Sequence, residues 1–120
     1  MLPQAARLKR NRDFRLVYAR KRSFACGTLV LYVRARPQAE VGNTGVSRFG
    51  FVISKKTARR AHDRNRIKRR LREICRLQMA GRIRRQPVDV LFVARASAVD
   101  ADYARLAADA ETLGRQAGLF

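Results

Sequence analysis

The stretch RFGFVISKKTARRAHDRNRIKRRLREICRLQMAGRIRRQPVDVLFVA, residues 48–94, contains the pattern that decides the fold. It begins with an alternating segment, RFGFVIS, typical of a half-buried strand. It ends on Val88–Ala94, whose apolar run Val90–Ala94 indicates a strand buried on both faces. Between them a helical periodicity runs from about Ala58 or Ala61 to Met79, and Gly81 is a suitable residue just past a helix end. The stretch therefore predicts a strand, a long helix and another strand.

Two more strands are predicted on the N-terminal side of this stretch. Thr28–Arg36 begins with an aliphatic run and ends at Pro37, and Lys21–Ala25 supplies a short strand before it. The residues Gln38–Gly45 include Gly and Asn, which are typical of a loop, and they connect Thr28–Arg36 to the strand at Arg48–Ser54.

Two further helices complete the predicted fold. Asn11 is a suitable N-cap for a short amphipathic helix over Asp13–Arg20, and a last helix is expected over Asp100–Gln116. The chain has no internal repeat and no long linker, so residues 1–120 are expected to form a single domain. Its predicted class is α+β, a sandwich of order αβββαβα with helices packed on a sheet.

Charge indicates the kind of partner. The chain has 28 lysines and arginines against nine acids, a formal net charge of +19, yet it is 47% hydrophobic, which argues against intrinsic disorder. Residues 1–86 hold 25 of the 28 basic residues and four of the nine acids. Self-repulsion on this scale is best tolerated where a polyanion neutralises it. The apolar runs are too short for a membrane span, so no membrane partner is expected.

The sequence supplies little for catalysis by the protein alone. His62 is the single histidine and is expected at the surface, and no metal-ligand or nucleophile motif is present. The acids of the basic half are scattered, and those of the last helix are expected to be solubilising surface residues. Cys26 and Cys75 are too few for a disulfide framework, and we expect small buried side chains in a reducing cytoplasm.

The segment Ala61–Glu73, AHDRNRIKRRLRE, is the most informative part of the predicted helix. At 100° per residue, one arc of the helix forms a core face of Ile67, Leu71, Ile74, Cys75 and Gln78. The remaining surface is almost purely cationic, with Glu73 as its one opposing acid. Because like charges lie at i, i+4 spacing, a polyphosphate ligand is a better explanation than a merely solvated face.

Four segments, in the correct order, resemble the bacterial ribonuclease P protein subunit. Its signature helix is similar to Arg64-Asn65-Arg66, followed by Ile67-Lys68-Arg69 and Arg72, with Ala61 three residues before. The other three segments are Leu8–Phe14 with Tyr18, the strand Leu29–Tyr32, and Gly50–Lys56. The resemblance covers roughly residues 7–96.

This resemblance implies a fold and a division of labour. The fold is a sandwich akin to a domain of a ribosomal protein and of translation elongation factors, with a left-handed βαβ crossover that places the signature helix. A catalytic RNA with bound Mg²⁺ hydrolyses the bond at the 5′ end of mature tRNA. The protein binds this RNA and the 5′ leader of the precursor tRNA.

The resemblance also implies site residues. Those expected to face RNA on the signature helix are Arg64, Asn65, Arg66, Lys68, Arg69 and Arg72, and the charge pattern adds Arg59, Arg60 and Arg70 as RNA-binding residues. Those expected to line a cleft for the single-stranded leader are Phe14, Tyr18, Tyr32, Ser54, Lys55 and Lys56. Aromatic side chains beside cations suit a single strand, because bases stack on the rings and the cations neutralise phosphates. The protein itself is expected to be monomeric.

Two other classes of protein fit a small basic chain. A structural ribosomal or other rRNA-binding protein is one alternative, although its basic residues often lie in tails, whereas here they lie on predicted helices and strands. A DNA-compacting protein is another, but such a protein would not need the cleft aromatics. A catalytic RNA that co-purifies with the tagged protein would decide between the three.

Overall fold

The sheet has four strands: β1 (Ser23–Cys26), β2 (Leu29–Ala35), β3 (Arg48–Val52) and β4 (Val88–Ala94). In this computed structural model, which describes residues 4–37, 47–83 and 87–120, the strand order is β1-β2-β4-β3. β2 pairs antiparallel with β1 and with β4, whereas β3 and β4 are parallel. The central strand β4 is buried at six of its seven positions, as its continuous apolar run predicts.

Three helices accompany the sheet: α1 (Asn11–Ala19), α2 (Ala61–Ile74) and α3 (Tyr103–Gln116). A π-helical turn, Cys75–Met79, extends α2, and short 3-10 turns lie at Gln4–Ala6 and Ala96–Ala98. Since β3, α2 and β4 follow one another and the strands are parallel, they form the βαβ unit that the resemblance implies. Among the described helices, none has the length and apolarity to cross a membrane.

The two faces of the sheet are covered unequally. One face packs against α2 and α3 and forms the main core, in which Leu31, Phe92 and Leu106 are fully buried. The other face carries α1 and a smaller cluster of Leu8, Val17 and Leu91. Side chains alternate along each strand, so every second strand residue points to this face. α1 covers part of the face with a narrow apolar stripe, and the rest of the face is open.

The first residues of two helices differ from the sequence prediction. Arg10, not Asn11, is the N-cap of α1, because a hydrogen bond from Leu8 N to Phe49 O (2.8 Å) holds the preceding chain extended along β3. α3 begins at Tyr103 rather than Asp100, because the Asp102 carboxylate caps it by accepting a hydrogen bond from Arg105 N at 2.8 Å.

The strand bounds need smaller corrections. β3 ends at Val52 rather than Ser54, because Ser54 begins a turn in which its hydroxyl and carbonyl accept hydrogen bonds from Thr57 N. β1 is shifted to Ser23–Cys26, and β2 is one residue shorter at each end than predicted. The predicted loop Gln38–Gly45 lies outside the described residues.

Candidate nucleic-acid interface

α2 places its apolar residues against the core as the periodicity predicts. Ile67, Leu71, Ile74 and Cys75 are fully buried, while Gln78 is only half-buried in the π-helical turn. The opposite side of the helix therefore points its cations away from the core. His62 is exposed at the start of the helix, as expected.

Three signature arginines are occupied by the protein itself. Arg64 Nη1 donates to Ala58 O (2.8 Å) and Arg59 O (2.9 Å) and holds the loop that leads into α2. Arg66 and Arg70 reach the segment before α3, where they donate to Val99 O (2.9 Å) and Ala101 O (3.0 Å). These arginines brace the helix, a role that the charge pattern did not predict.

The acids of α2 are also more involved than predicted. Asp63 in the first turn pairs with Arg66 at 3.2 Å, and Glu73 pairs with Arg76. Glu73 is therefore not the one acid that tempers the cations of this helix. Among the residues that the structure describes, these two pairs still leave most of the basic side chains of α2 without an acidic partner.

A second group of side chains is available to a ligand. Within the described part of the chain, no side-chain hydrogen bond or ion pair engages Arg59, Arg60, Asn65, Lys68, Arg69 or Arg72. A groove of about 480 Å³ lies along the helix and is lined by His62, Asn65, Lys68, Arg69 and Arg72. Since it concentrates cations without a protein counter-charge, this groove suits a phosphate chain.

The α1 face of the sheet is built in rungs across three strands. Arg34, Asp89 and Arg48 form one rung, and Tyr32, Leu91 and Gly50 form the next. The third rung consists of the half-buried valines Val30, Val93 and Val52. The second and third rungs therefore form an apolar floor, flanked at one side by α1.

Two tyrosines meet at this floor: Tyr32 is part of it, and Tyr18 lies on α1. The rings of Tyr18 on α1 and Tyr32 on β2 meet edge to face, with centroids 4.9 Å apart, and 39% of Tyr18 is exposed. Partial burial and the neighbouring Tyr32 raise the pKa of Tyr18 above its usual 10.0, so the phenol carries no charge that would repel a phosphate. The pair can accept a stacked base.

Basic side chains lie at the end of the apolar floor, just beyond the last residue of β3. Ser54 begins the turn just described, and its exposed hydroxyl also shares a hydrogen bond with Thr57 Oγ1 at 3.0 Å. The next residues, Lys55 and Lys56, are exposed and make no ion pair within the described part of the chain. The fold thus brings the six predicted cleft residues to one side of the sheet or to its end.

One part of this surface was missed by the sequence analysis. A cleft of about 290 Å³ at the free edge of β3 is lined by residues that include Arg7, Lys9 and Phe14, together with Lys68 and Arg72 of α2. It exists because Gly50 lets the N-terminal segment approach: a Cβ there would lie 3.0 Å from Leu8 Cβ and from Phe14 Cε1. In the sequence, the only sign of this cleft was the short segment Leu8–Arg10 before α1, which the structure shows as extended chain. The cleft connects the α2 groove to the tyrosine face, which consists of Tyr18, Tyr32 and the apolar floor beside them.

The acidic side chains of α3 have a different role from the solubilising one that the sequence predicts. Asp109 of α3 is 5% exposed and accepts hydrogen bonds from Thr28 N (2.9 Å) and Thr28 Oγ1 (2.6 Å), so it is not a solubilising surface residue. Glu111 binds Arg82 at 2.6 Å. No three His, Cys, Asp or Glu side chains among the described residues lie close enough together to hold a metal ion. These acids stabilise the fold because each has a basic or hydroxyl partner.

The two cysteines are free, and only one of them is buried, although burial is expected for both. Cys75 is fully buried, and burial raises the pKa of its thiol well above the usual value. Cys26 is half-buried and lies 3.4 Å from Asp109 Oδ1, to which its thiol donates a hydrogen bond. Both thiols are therefore held in the protonated form.

The fold and these joined basic and aromatic surfaces define an RNA-binding α+β protein. A family model for ribonuclease P matches residues 2–118. The chain belongs to the ribonuclease P protein family, and hence to the RNA-binding proteins of tRNA processing.

Individual relatives are similar to this chain over most of its length. The ribonuclease P protein component of Clostridium kluyveri is 34% identical over 114 residues, which are 95% of this chain and 96% of the relative. That of Chromohalobacter salexigens is 44% identical over 93 residues, 78% of this chain and 66% of the relative. The solved structure of the Staphylococcus aureus RNase P protein superposes with a TM-score of 0.82 at 29% identity and covers 98% of this chain and 99% of that one.

Proposed function

We propose that this chain is the protein subunit of a ribonuclease P in which an RNA carries the catalysis. The protein binds the catalytic RNA through the free cations of α2. It binds the 5′ leader of precursor tRNA over the tyrosine face, and endonucleolytic removal of the leader produces the mature 5′ end.

The observation that carries the proposal is the continuity of the two surfaces. Lys68 and Arg72 line both the α2 groove and the cleft at the edge of β3, and Phe14 lies in that cleft on the α1 side. An RNA on α2 and a single strand on the sheet face can therefore lie side by side. Such an arrangement suits a protein that holds a substrate strand against a second RNA.

Mg²⁺ enters this proposal as an ion held mainly by the RNA subunit. The described acids support that assignment, because Asp89, Asp109 and Glu111 are each committed to arginines or a threonine. Magnesium bound to RNA supplies charge neutralisation and an activated water for phosphodiester hydrolysis. The protein's contribution is to bind, orient and neutralise.

The direct experiment combines purified components. Protein alone, incubated with precursor tRNA and Mg²⁺, should not cleave, and adding a cognate catalytic RNA should give cleavage at the mature 5′ end. The protein should matter most at low salt and low Mg²⁺, where its cations replace counterions. Specific cleavage by protein free of RNA would overturn the division of labour.

A second experiment addresses the ribosomal alternative and the assembly state. The tagged protein, isolated from its host cytoplasm, should co-purify with one RNA that cleaves precursor tRNA. Recovery of ribosomal RNA alone would favour a structural ribosomal role. The free protein should be a monomer by light scattering.

A further inference from the structure

The short helix α1 carries two of the cleft aromatics, Phe14 and Tyr18, but few contacts fix its position on the sheet. It has nine residues, and its N-cap Arg10 makes no side-chain capping hydrogen bond. A helix of this length is marginal in isolation, so tertiary contacts must hold it. Val17 is fully buried, but Phe14 is half-buried and Tyr18 is exposed.

A buried ionic rung lies beneath the first turn of α1. Asp89 of β4 is fully buried and pairs across the sheet with Arg34 (3.2 Å) on one side and with Arg48 (2.8 Å) on the other. Arg36 approaches the same carboxylate at 3.7 Å. The three guanidinium groups therefore lie around one buried carboxylate at this end of the floor.

Asp13 of α1 joins this ionic group through Arg48. It is 6% exposed and accepts a hydrogen bond at 3.3 Å from Nη1 of Arg48, whose Nε and Nη2 each donate to Asp89 at 2.8 Å. One planar guanidinium thus bridges the helix and the central strand, which a lysine could not do with the same geometry. Asp13 directly precedes Phe14, so the bridge fixes the position of the cleft aromatics.

We propose that the Asp13–Arg48–Asp89 bridge sets the position of α1 over the sheet and thereby determines how well the protein discriminates a precursor with a leader from mature tRNA. Asp13 and Arg48 are positioning residues that act through Phe14 and Tyr18. This inference rests on the proposed leader-binding role. A shift of about 1 Å in a positioned group can cost on the order of a hundredfold in a binding or rate constant.

Two variants separate position from charge. Asp13→Asn removes a negative charge beside the cleft, so a purely electrostatic role predicts tighter leader binding. Arg48→Lys keeps the net charge but loses the planar bridge. In Asp13→Asn an amide oxygen accepts a weaker hydrogen bond from Arg48 Nη1 than the carboxylate does, because the amide is neutral. The bridge therefore predicts that both variants lose preference for the precursor, by about tenfold. Arg48 keeps its bonds to Asp89 in Asp13→Asn, so this variant leaves the sheet intact.

The measurement uses the reconstituted ribonucleoprotein at matched salt. Dissociation constants are determined for precursor tRNA, for the matching mature tRNA and for protein binding to the catalytic RNA, after circular dichroism has established folding. Assembly should stay within about twofold of the unmodified protein. Glu111→Gln, which makes the same charge change on α3 where Glu111 pairs with Arg82 and Arg115, should leave the preference unchanged.

The outcomes distinguish this inference from the proposed function. If folded Asp13→Asn keeps or raises the precursor preference while Tyr18→Ala lowers it, the bridge does not position the cleft. If Tyr18→Ala and Tyr32→Ala also leave the preference unchanged, the proposed leader site itself is wrong. Should Arg48→Lys fail to fold, Asp13→Asn alone decides.

Discussion

Arg66 and Arg69 lie three residues apart on α2 and differ in what they bind. Arg66 pairs with Asp63 and donates to Val99 O, so its charge is balanced and its guanidinium holds the segment before α3. Arg69 is exposed, and its side chain has no hydrogen-bond or ion-pair partner within the described part of the chain. We therefore expect the two arginines of one motif to contribute to different properties, Arg66 to folding and Arg69 to RNA binding.

Alanine substitution of these two residues should separate the properties. Arg69→Ala should weaken binding to the catalytic RNA and reduce the slope of log affinity against log salt by about one charge equivalent. Arg66→Ala should lower the free energy of unfolding by about 1 to 2 kcal/mol, because Val99 O loses its donor. Chemical denaturation and salt titrations check both, and equal salt slopes for the two variants would contradict the assignment.

The buried Asp109 predicts a pH dependence of stability. Burial raises the pKa of this carboxyl, but hydrogen bonds from Thr28, Arg105 and Cys26 outweigh burial and hold it below the usual 3.8. A depressed folded-state pKa contributes stability above the unfolded value that is lost as pH falls through the folded value. Thr28→Val should therefore destabilise the protein by about 1 to 2 kcal/mol at neutral pH.

This loss should shrink in acid, as the Asp109 carboxylate becomes protonated. Urea unfolding at neutral pH and near pH 3 measures it, with Thr112→Val, an exposed threonine on α3, as the control. A penalty that is the same at both pH values would mean that Thr28 does not stabilise the ionised form of Asp109.

At the scale of elements, α2 carries like charges side by side, and no acid among the described residues pairs with Lys68, Arg69 or Arg72. Lys68 and Arg72 lie at i, i+4, with Arg69 between them, and their mutual repulsion opposes helix formation within a Debye length of about 10 Å. An anion that binds only the folded form stabilises it by mass action. Sulfate or phosphate at about ten times its dissociation constant should raise the melting temperature by about 5 °C beyond chloride at equal ionic strength.

A pair of glutamine variants tests whether α2 is the origin of this effect. Replacing Lys68, Arg69 and Arg72 should remove most of the sulfate excess, whereas replacing Arg95, Arg105 and Arg115 removes equal charge elsewhere and should keep it. Equivalent melting curves in sulfate and chloride for the unmodified protein would contradict the argument from charge to a phosphate partner.

Elements could be predicted from the sequence wherever local periodicity determines them. The order of helices and strands and the core face of α2 follow from apolar spacing, and β4 has the predicted bounds. The rung of Arg34, Asp89 and Arg48 could not be predicted, because it depends on the register of three strands. The burial of Asp109 was equally hidden, since its partner Thr28 lies 81 residues away in the chain.

The candidate site was predictable as a set of residue types and less so as a geometry. The resemblance supplied twelve of the fifteen site residues and the charge pattern the other three. The carbonyls that Arg64 binds lie just before α2, but those that Arg66 and Arg70 bind come from the distant segment before α3. The edge cleft with Arg7 and Lys9 needs the N-terminal segment to lie along β3. Contacts between segments far apart in the chain carry no local signal.

At the scale of the whole molecule, the basic residues are concentrated in residues 1–86. The two proposed binding surfaces lie on different sides of the fold. The basic half supplies α1, the two tyrosines and α2, while residues 87–120 supply β4 and α3, and α3 packs on the same face of the sheet as α2. The central expectation is that the two surfaces bind different RNAs.

One measurement tests that expectation most directly. Binding to the catalytic RNA and preference for precursor over mature tRNA are measured for Arg69→Ala and for Tyr18→Ala with Tyr32→Ala. Arg69→Ala should weaken assembly and keep the preference. The tyrosine variants should assemble normally and each lose about 1 to 3 kcal/mol of preference if a base stacks there, while Tyr18→Phe should retain it. Equal losses in both assays for both sets would contradict the account, because the two surfaces would then act as one.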